Sequence, residues 1–176
     1  PAALELSDDA AVYSPPVGKE LVIAADAMVE NVHFLPSDPP ETIGRKLLRC
    51  NLSDLAAMGA TPEGWLLTLA CPKTVPDSWF TAFCSGIQHD QSIFDICLMG
   101  GDTTSTKGPL VLSPTSIGSV VAGQAIKRRG ARAGESLWVT GTIGDGALGL
   151  RVLQGQLSDP SGYLVHRYHM PQPRIG

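Results

Sequence analysis

Asn51-Leu52-Ser53-Asp54-Leu55-Ala56-Ala57-Met58-Gly59-Ala60 is the stretch on which the reading of this chain turns. Apolar residues at Ile43, Leu47, Leu48, Leu55 and Met58 recur at helical spacing, so an amphipathic helix is expected over residues 41–58. Gly59 offers a residue free to turn left-handed, and Thr61-Pro62 brings one that cannot continue a helix. Asn51 and Asp54 interrupt the apolar face one turn apart, pointing the same way. A carboxylate close to a helix C-terminus, against apolar packing, is unfavourable unless a cation or donors meet it. Taken alone, Asp54 reads as solvent-facing or bonded to a neighbouring backbone N–H.

Outward from this helix, strands and helices alternate. Leu21 to Ala25 reads as a buried strand ending at Asp26, and residues 29–40 as a loop holding Asn31, His33 and three prolines. A Glu41–Arg45 pair supports the helix by a few tenths of a kcal/mol. Glu63 to Cys71 is a strand. Asp77 is expected to cap a second helix reaching about Ile87, with Trp79, Phe80, Phe83 and Ile87 on its apolar face. Asp95 to Met99 is a strand running into Gly100-Gly101-Asp102-Thr103-Thr104. Leu110 to Val121 is a strand broken by Pro114. The basic turn Lys127-Arg128-Arg129-Gly130 marks a shift in composition, and a domain boundary is placed there: 1–126, then 127–176 as the beginning of an incomplete second domain. That part holds a strand at Ser136–Thr140, a helix to about Gln154, and a helical turn or two from Tyr163. Its size is too small to bury a core of its own.

The chain has 176 residues, 43% of them hydrophobic and 17% charged, enough for a proper core. A net charge of −4 without a basic stripe argues against a nucleic-acid or anionic-membrane surface. The longest strongly apolar run, Trp65 to Cys71, is too short for a bilayer, and no signal-peptide pattern is read at the start. Cys50, Cys71, Cys84 and Cys97 form no C-x-x-C pair and are expected as reduced core residues of a cytoplasmic protein.

Asp9, Asp26, Asp54 and Asp102 each lie at or near the end of an apolar segment, where a fold delivers side chains to one edge. Hard oxygen donors of this kind suit Mg²⁺, which keeps several waters and shares phosphate oxygens. Gly100-Gly101 permits close backbone approach, and phosphate is a common occupant of such a place. Arg128 offers a fork to phosphate. Each aspartate separately reads as structural; the set carries the reading. No P-loop and no G-x-S-x-G elbow occurs. His166 and His169 have no acidic or Cys partner nearby in sequence and read as a polar helix face. Gly144-Asp145-Gly146-Ala147-Leu148-Gly149 matches G-x-G-x-x-G, but residues 165–170 hold no acid to meet a ribose. A tight turn packing a helix against a strand is the better use of these glycines.

Together these segments resemble the thiamine-monophosphate kinase family, in a superfamily with aminoimidazole ribonucleotide synthetase, selenophosphate synthetase and a hydrogenase-maturation protein. The resemblance rests, in order, on Asp8-Asp9-Ala10-Ala11, residues 26–34, Asn51 through Ala60 with Pro62, Gly100 to Thr104, Arg128-Arg129-Gly130-Ala131 and Val139-Thr140-Gly141. It implies a two-layer α/β (α+β) fold: a mixed sheet covered by helices, dimerising through the sheet, then the start of a second α+β domain. It implies Mg²⁺ held by Asp9, Asp26, Asp54 and Asp102. ATP would lie at Gly101, Asp102 and Arg128, and the thiamine substrate at His33. No residue would serve as a catalytic acid or base, because the nucleophile is a phosphate oxygen and positioning with charge neutralisation supplies the rate. The implied activity is γ-phosphoryl transfer from ATP to thiamine monophosphate, in a homodimer. A sister ATP-using synthetase is the enzyme alternative, and a nucleotide-binding or dimerisation module that has lost turnover is the other. Two departures stand out: Ala24-Ala25 where the family carries hydroxyls, and Ser7 where glycine is usual. The family's second domain brings another metal-binding aspartate and much of the substrate pocket, so these 176 residues alone are expected not to turn over.

Overall fold

The computed structural model describes residues 3–6 and 8–175; Ser7 lies outside the described residues. Five strands form one mixed sheet: β1 (Lys19–Ala25), β2 (Met28–Val29), β3 (Thr61–Pro72), β4 (Leu98–Thr106) and β5 (Val111–Val121). The order is β1-β5-β3-β4, with β2 beside the far end of β5. β3 and β4 pair in parallel, which demands a crossover, and helix α2 (Asp77–Phe94) supplies it. The other pairings are antiparallel.

Helix α1 (Pro40–Ala57) and α2 pack together over one sheet face. Leu47, Leu48, Leu52 and Leu55 of α1 are at most 1% exposed against Trp65 of β3 and Leu112 of β5. Burying each such side chain stabilises by about 1.5–3 kcal/mol. α1 ends as its sequence requires: Gly59 has φ +70°, its N–H donates to the Ala56 carbonyl at 3.0 Å, and that of Ala60 to Leu55 at 2.9 Å. This is the Schellman pattern, available to glycine at no steric cost.

Several elements differ from expectation. β1 is buried only at Val22; Leu21 and Ile23 are exposed on the sheet face away from the helices. Asp77 lies inside α2 and caps nothing with its side chain. The helix runs on to Phe94, ending where Asp95 turns left-handed. The strand expected over Asp95 to Met99 is β4, Leu98–Thr106, so Gly100 to Thr104 lie within it. A Cβ at Gly101 would lie 1.9 Å from the Leu67 carbonyl oxygen, so glycine there serves close strand approach. Pro114 does not break β5. Its carbonyl accepts the Asp26 N–H, and a strand residue's N–H position points the same way as its carbonyl. The missing donor therefore faces the gap past the end of β1, and the β3 ladder loses nothing.

Beyond the sheet, Ser136–Thr140 is not a strand; among the described residues no strand lies beside it to form a ladder. Leu137 and Trp138 are 94% and 89% exposed. Two helices follow, α3 (Asp145–Leu153) and α4 (Tyr163–His169), packed on each other. Gly149 of the G-x-G-x-x-G run lets them touch: a Cβ there would lie 2.1 Å from the Leu164 carbonyl oxygen. The glycines thus pack a helix against a helix, where a strand was expected. Cys50 is half-buried and Cys71 buried, but Cys84 and Cys97 are exposed, so only part of the cysteine set is core; all four are free thiols.

Candidate functional site

The sheet places the sequence-predicted acids in adjacent rows. Asp26 follows Ala25 at the end of β1, its N–H on the Pro114 carbonyl at 3.2 Å. Pro114 pairs with Leu67, and Leu67 with Gly101, so Asp26 and Gly101 share one row. Asp102 occupies the next row, with Thr68 and Ser113. Asp26 and Asp102 are three strands and one row apart, a backbone span of about 14 Å.

Asp54 comes to this level from the other layer. It and Asn51 do not share an environment, contrary to expectation: Asn51 is fully buried and Asp54 exposed. Three residues along a helix still leave a rotation of about 60°. Asn51 turns inward, where its Oδ1 accepts the Ser116 hydroxyl; its Nδ2 finds no partner among the described residues. Asp54 stands at the rim near Asp26. Partial burial raises its carboxyl's pKa, the Asp26 charge raises it further, and the Arg128 guanidinium lowers it in part.

Two hollows flank the row. The larger, about 1100 Å³, lies along β4 and α2. Asp8, Asp9, Gly100, Gly101 and Asp102 form its polar side, and Leu66, Phe83, Ile87 and Leu98 an apolar one. An apolar wall with a few convergent polar groups is the usual make-up of a small-molecule site, and this one has room for a nucleotide. The smaller, about 210 Å³, is lined by Asp26, Ala27, Met28, His33, Lys46, Leu47 and Cys50. There His33 accepts the Val29 N–H on its Nδ1 at 3.0 Å. Burial pushes the Cys50 thiol up, with Lys46 opposing and Asp26 and Asp54 adding to the shift.

The four aspartates therefore arrive as two pairs, Asp9 with Asp102 at the large hollow and Asp26 with Asp54 at the rim. Among the described residues no three His, Cys, Asp or Glu side chains come together closely enough to hold an ion by themselves. The Asp26–Asp54 pair nevertheless fits a hard divalent cation: both carboxylates are exposed, and the Asp26 charge raises the proton affinity of Asp54, with Arg128 the cation that offsets it there. Arg128 is beside this pair and does not line the large hollow.

Sequence reading missed Lys46, Asp38, Arg49 and Asp90. Asp90 is fully buried and accepts from Arg45 Nε at 3.0 Å and from Arg49. The expected Glu41–Arg45 pair is present only at 4.0 Å. His169, read as a polar face, bonds buried Asp38 at 3.1 Å. The one signal in the sequence was Arg45 and Arg49 one turn apart on the same helix face, two cations with Glu41 the one acid at that spacing.

The model of the family "AIR synthase related protein, N-terminal domain" matches residues 7–120. A thiamine-monophosphate kinase of Caulobacter vibrioides is 47% identical over 175 residues, covering 99% of this chain and 50% of that protein. The crystal structure of the thiamine-monophosphate kinase of Stenotrophomonas maltophilia K279a is 42% identical, with a TM-score of 0.86, covering 97% of this chain and 55% of that one. AaThiL complexed with AMPPCP and TMP is 30% identical, with a TM-score of 0.83, over 95% of this chain and 54% of that one. The chain spans about half the length of these relatives. With its mixed sheet, helical layer and matched residues, this chain belongs to the AIR synthase related protein family, whose N-terminal domain it carries.

Proposed function

We propose that this chain forms the ATP- and Mg²⁺-binding half of a kinase that phosphorylates thiamine monophosphate to thiamine diphosphate. The observation that carries the reading is the placement of Asp26, Gly101 and Asp102 in adjacent rows of the sheet, flanked by the two hollows. The relative bound to AMPPCP and TMP supports it. In this reading the division falls at residues 126 and 127, where the sheet and its return to α1 are complete: the Ile126 N–H donates to the Met58 carbonyl.

The reaction breaks the bond between the γ-phosphorus of ATP and its bridging oxygen and forms one to a phosphate oxygen of thiamine monophosphate, releasing ADP. That nucleophile is already ionised at neutral pH, so the chain needs no general base. Asp9, Asp26, Asp54 and Asp102 would hold Mg²⁺, which when bound would supply charge neutralisation on the polyphosphate. Gly101 lets the polyphosphate approach the β4 backbone, and Asp102 orients it. Arg128 contacts the nucleotide from the rim, and His33 faces the acceptor in the smaller hollow. The exposed apolar face of the sheet, with Ile23 64% and Val121 49% exposed, is assigned to a homodimer contact. Among the described residues no helix is long and apolar enough to cross a membrane, and the four free thiols suit the cytoplasm.

On a polypeptide of the relatives' length, incubation with MgATP and thiamine monophosphate is expected to yield thiamine diphosphate and ADP, resolved by chromatography. Asp102→Asn should lower kcat by about 10²-fold or more. Binding of MgATP without any product would overturn the kinase reading in favour of a nucleotide-binding module.

A further inference from the structure

Lys46 faces the smaller hollow from α1, and neither its neighbours in sequence nor the acid set explains it. Its Nζ donates to the His33 carbonyl at 3.0 Å. The same ammonium lies 3.6 Å from the centroid of the Tyr168 ring. Burial lowers its pKa, with Cys50 and Asp38 opposing, so it is a partly desolvated cation, the setting in which a ring face holds it best. Tyr168 belongs to α4 and is 7% exposed. Its hydroxyl donates to Asp38 Oδ2 at 3.0 Å, the same oxygen that takes the Leu35 N–H at 2.9 Å. Helix α4 therefore grips the loop of residues 33–38 at both ends: directly at Asp38, and through Lys46 at His33.

Between these ends the loop is anchored at Phe34, which is buried in the core and whose carbonyl accepts the Asn31 N–H at 2.9 Å, and by the Asp38 N–H on the Leu35 carbonyl at 3.0 Å. His33 is exposed, and it is tied to Val29 through its ring Nδ1 and its backbone N–H. Asn31 holds a φ of +66°, the left-handed turn that asparagine takes more readily than most residues.

We propose that Lys46 is a positioning residue: the Tyr168 ring holds its ammonium on the His33 carbonyl, so that seating of α4 sets where the His33 imidazole stands at the hollow. The kinetic consequence rests on the reading that His33 meets the acceptor; the structural relay does not. Lys46→Met and Tyr168→Leu each remove one link. Tyr168→Phe keeps the ring and loses only the bond to Asp38. Lys46→Arg keeps a cation over the ring.

Amide hydrogen exchange of residues 29–34 in the protein tests the relay. Lys46→Met and Tyr168→Leu should each speed Val29 exchange by about tenfold, and the double variant should add nothing further. Tyr168→Phe and Lys46→Arg should stay close to the parent. Unchanged exchange in Tyr168→Leu, or a Tyr168→Phe as damaging as Tyr168→Leu, overturns the proposal. On a polypeptide of the relatives' length, Lys46→Met and Tyr168→Leu should raise the KM for thiamine monophosphate about tenfold with the KM for ATP within about twofold. Equal rises in both overturn the positioning role. Absence of turnover in the parent sinks the kinase reading alone, since exchange still decides the relay.

Discussion

Asp54 stands at the rim of α1 with its charge set against that of Asp26. Its pKa lies above its unfolded value, chiefly from partial burial and then from Asp26. Folding therefore favours the protonated form, and ionised Asp54 costs stability as the pH rises through the folded pKa. Asp26→Asn should thus stabilise the metal-free protein at pH 7 by a few tenths of a kcal/mol, the exposed pair being screened by solvent. The gain should vanish near pH 3, where the carboxyl is protonated in folded and unfolded chains alike. Thermal unfolding at both pH values checks it. The spacing of the apolar residues made Asp54 legible. The burial of Asn51 was not, because its partner Ser116 arrives from a strand 65 residues away. Asn51→Ala leaves the Ser116 hydroxyl unpaired in the core and should cost about 1–3 kcal/mol in urea unfolding.

Helix ends and strand pairs divide differently between local and distant causes. The stop of α1 was readable because Gly59 is a local device; Gly59→Ala forces a side chain into the left-handed region and should destabilise by about 1–2 kcal/mol. The length of α2 was not readable, because its last turns are held by tertiary bonds. Asp90 there neutralises Arg45 and Arg49 of α1. Asp90→Ala strands two partly buried guanidinium groups and should cost about 3–5 kcal/mol by denaturant titration. The strand expected to stop at Met99 is carried on through Gly100-Gly101 by pairing with β3; Ser136–Thr140 reads locally as strand, yet among the described residues has none beside it. α4 is secured through Asp38. Burial raises that carboxyl, but bonds from His169, the Leu35 N–H and Tyr168 outweigh it and hold the pKa below 3.8. Its contribution is therefore present above the ordinary carboxyl value and lost as the pH falls through the lowered one. The stability gap between the parent and Asp38→Asn should be about 1–3 kcal/mol at pH 7 and close as the pH is lowered beyond that point.

At the scale of the molecule, one sheet face is covered by α1 and α2, and the other shows Leu21, Ile23 and Val121 to solvent. If that face joins two copies, Ile23→Lys should shift the protein to monomer, read by light scattering at micromolar concentration. The elements were legible because apolar periodicity alternated between strand and helix along the chain, and their assembly into two layers was legible only through the family resemblance. The division of the acids into two pairs was not, because it depends on strand order: β5 and β3 lie between β1 and β4. That division makes the central claim specific, since a shared polyphosphate with its divalent ions must bridge about 14 Å of sheet. Mn²⁺ uptake followed by electron paramagnetic resonance, with and without a nonhydrolysable ATP analogue, tests it most directly. The account predicts that the analogue strengthens uptake, and that Asp26→Asn and Asp102→Asn each abolish that strengthening. Uptake strengthened equally in the parent and both variants would contradict it.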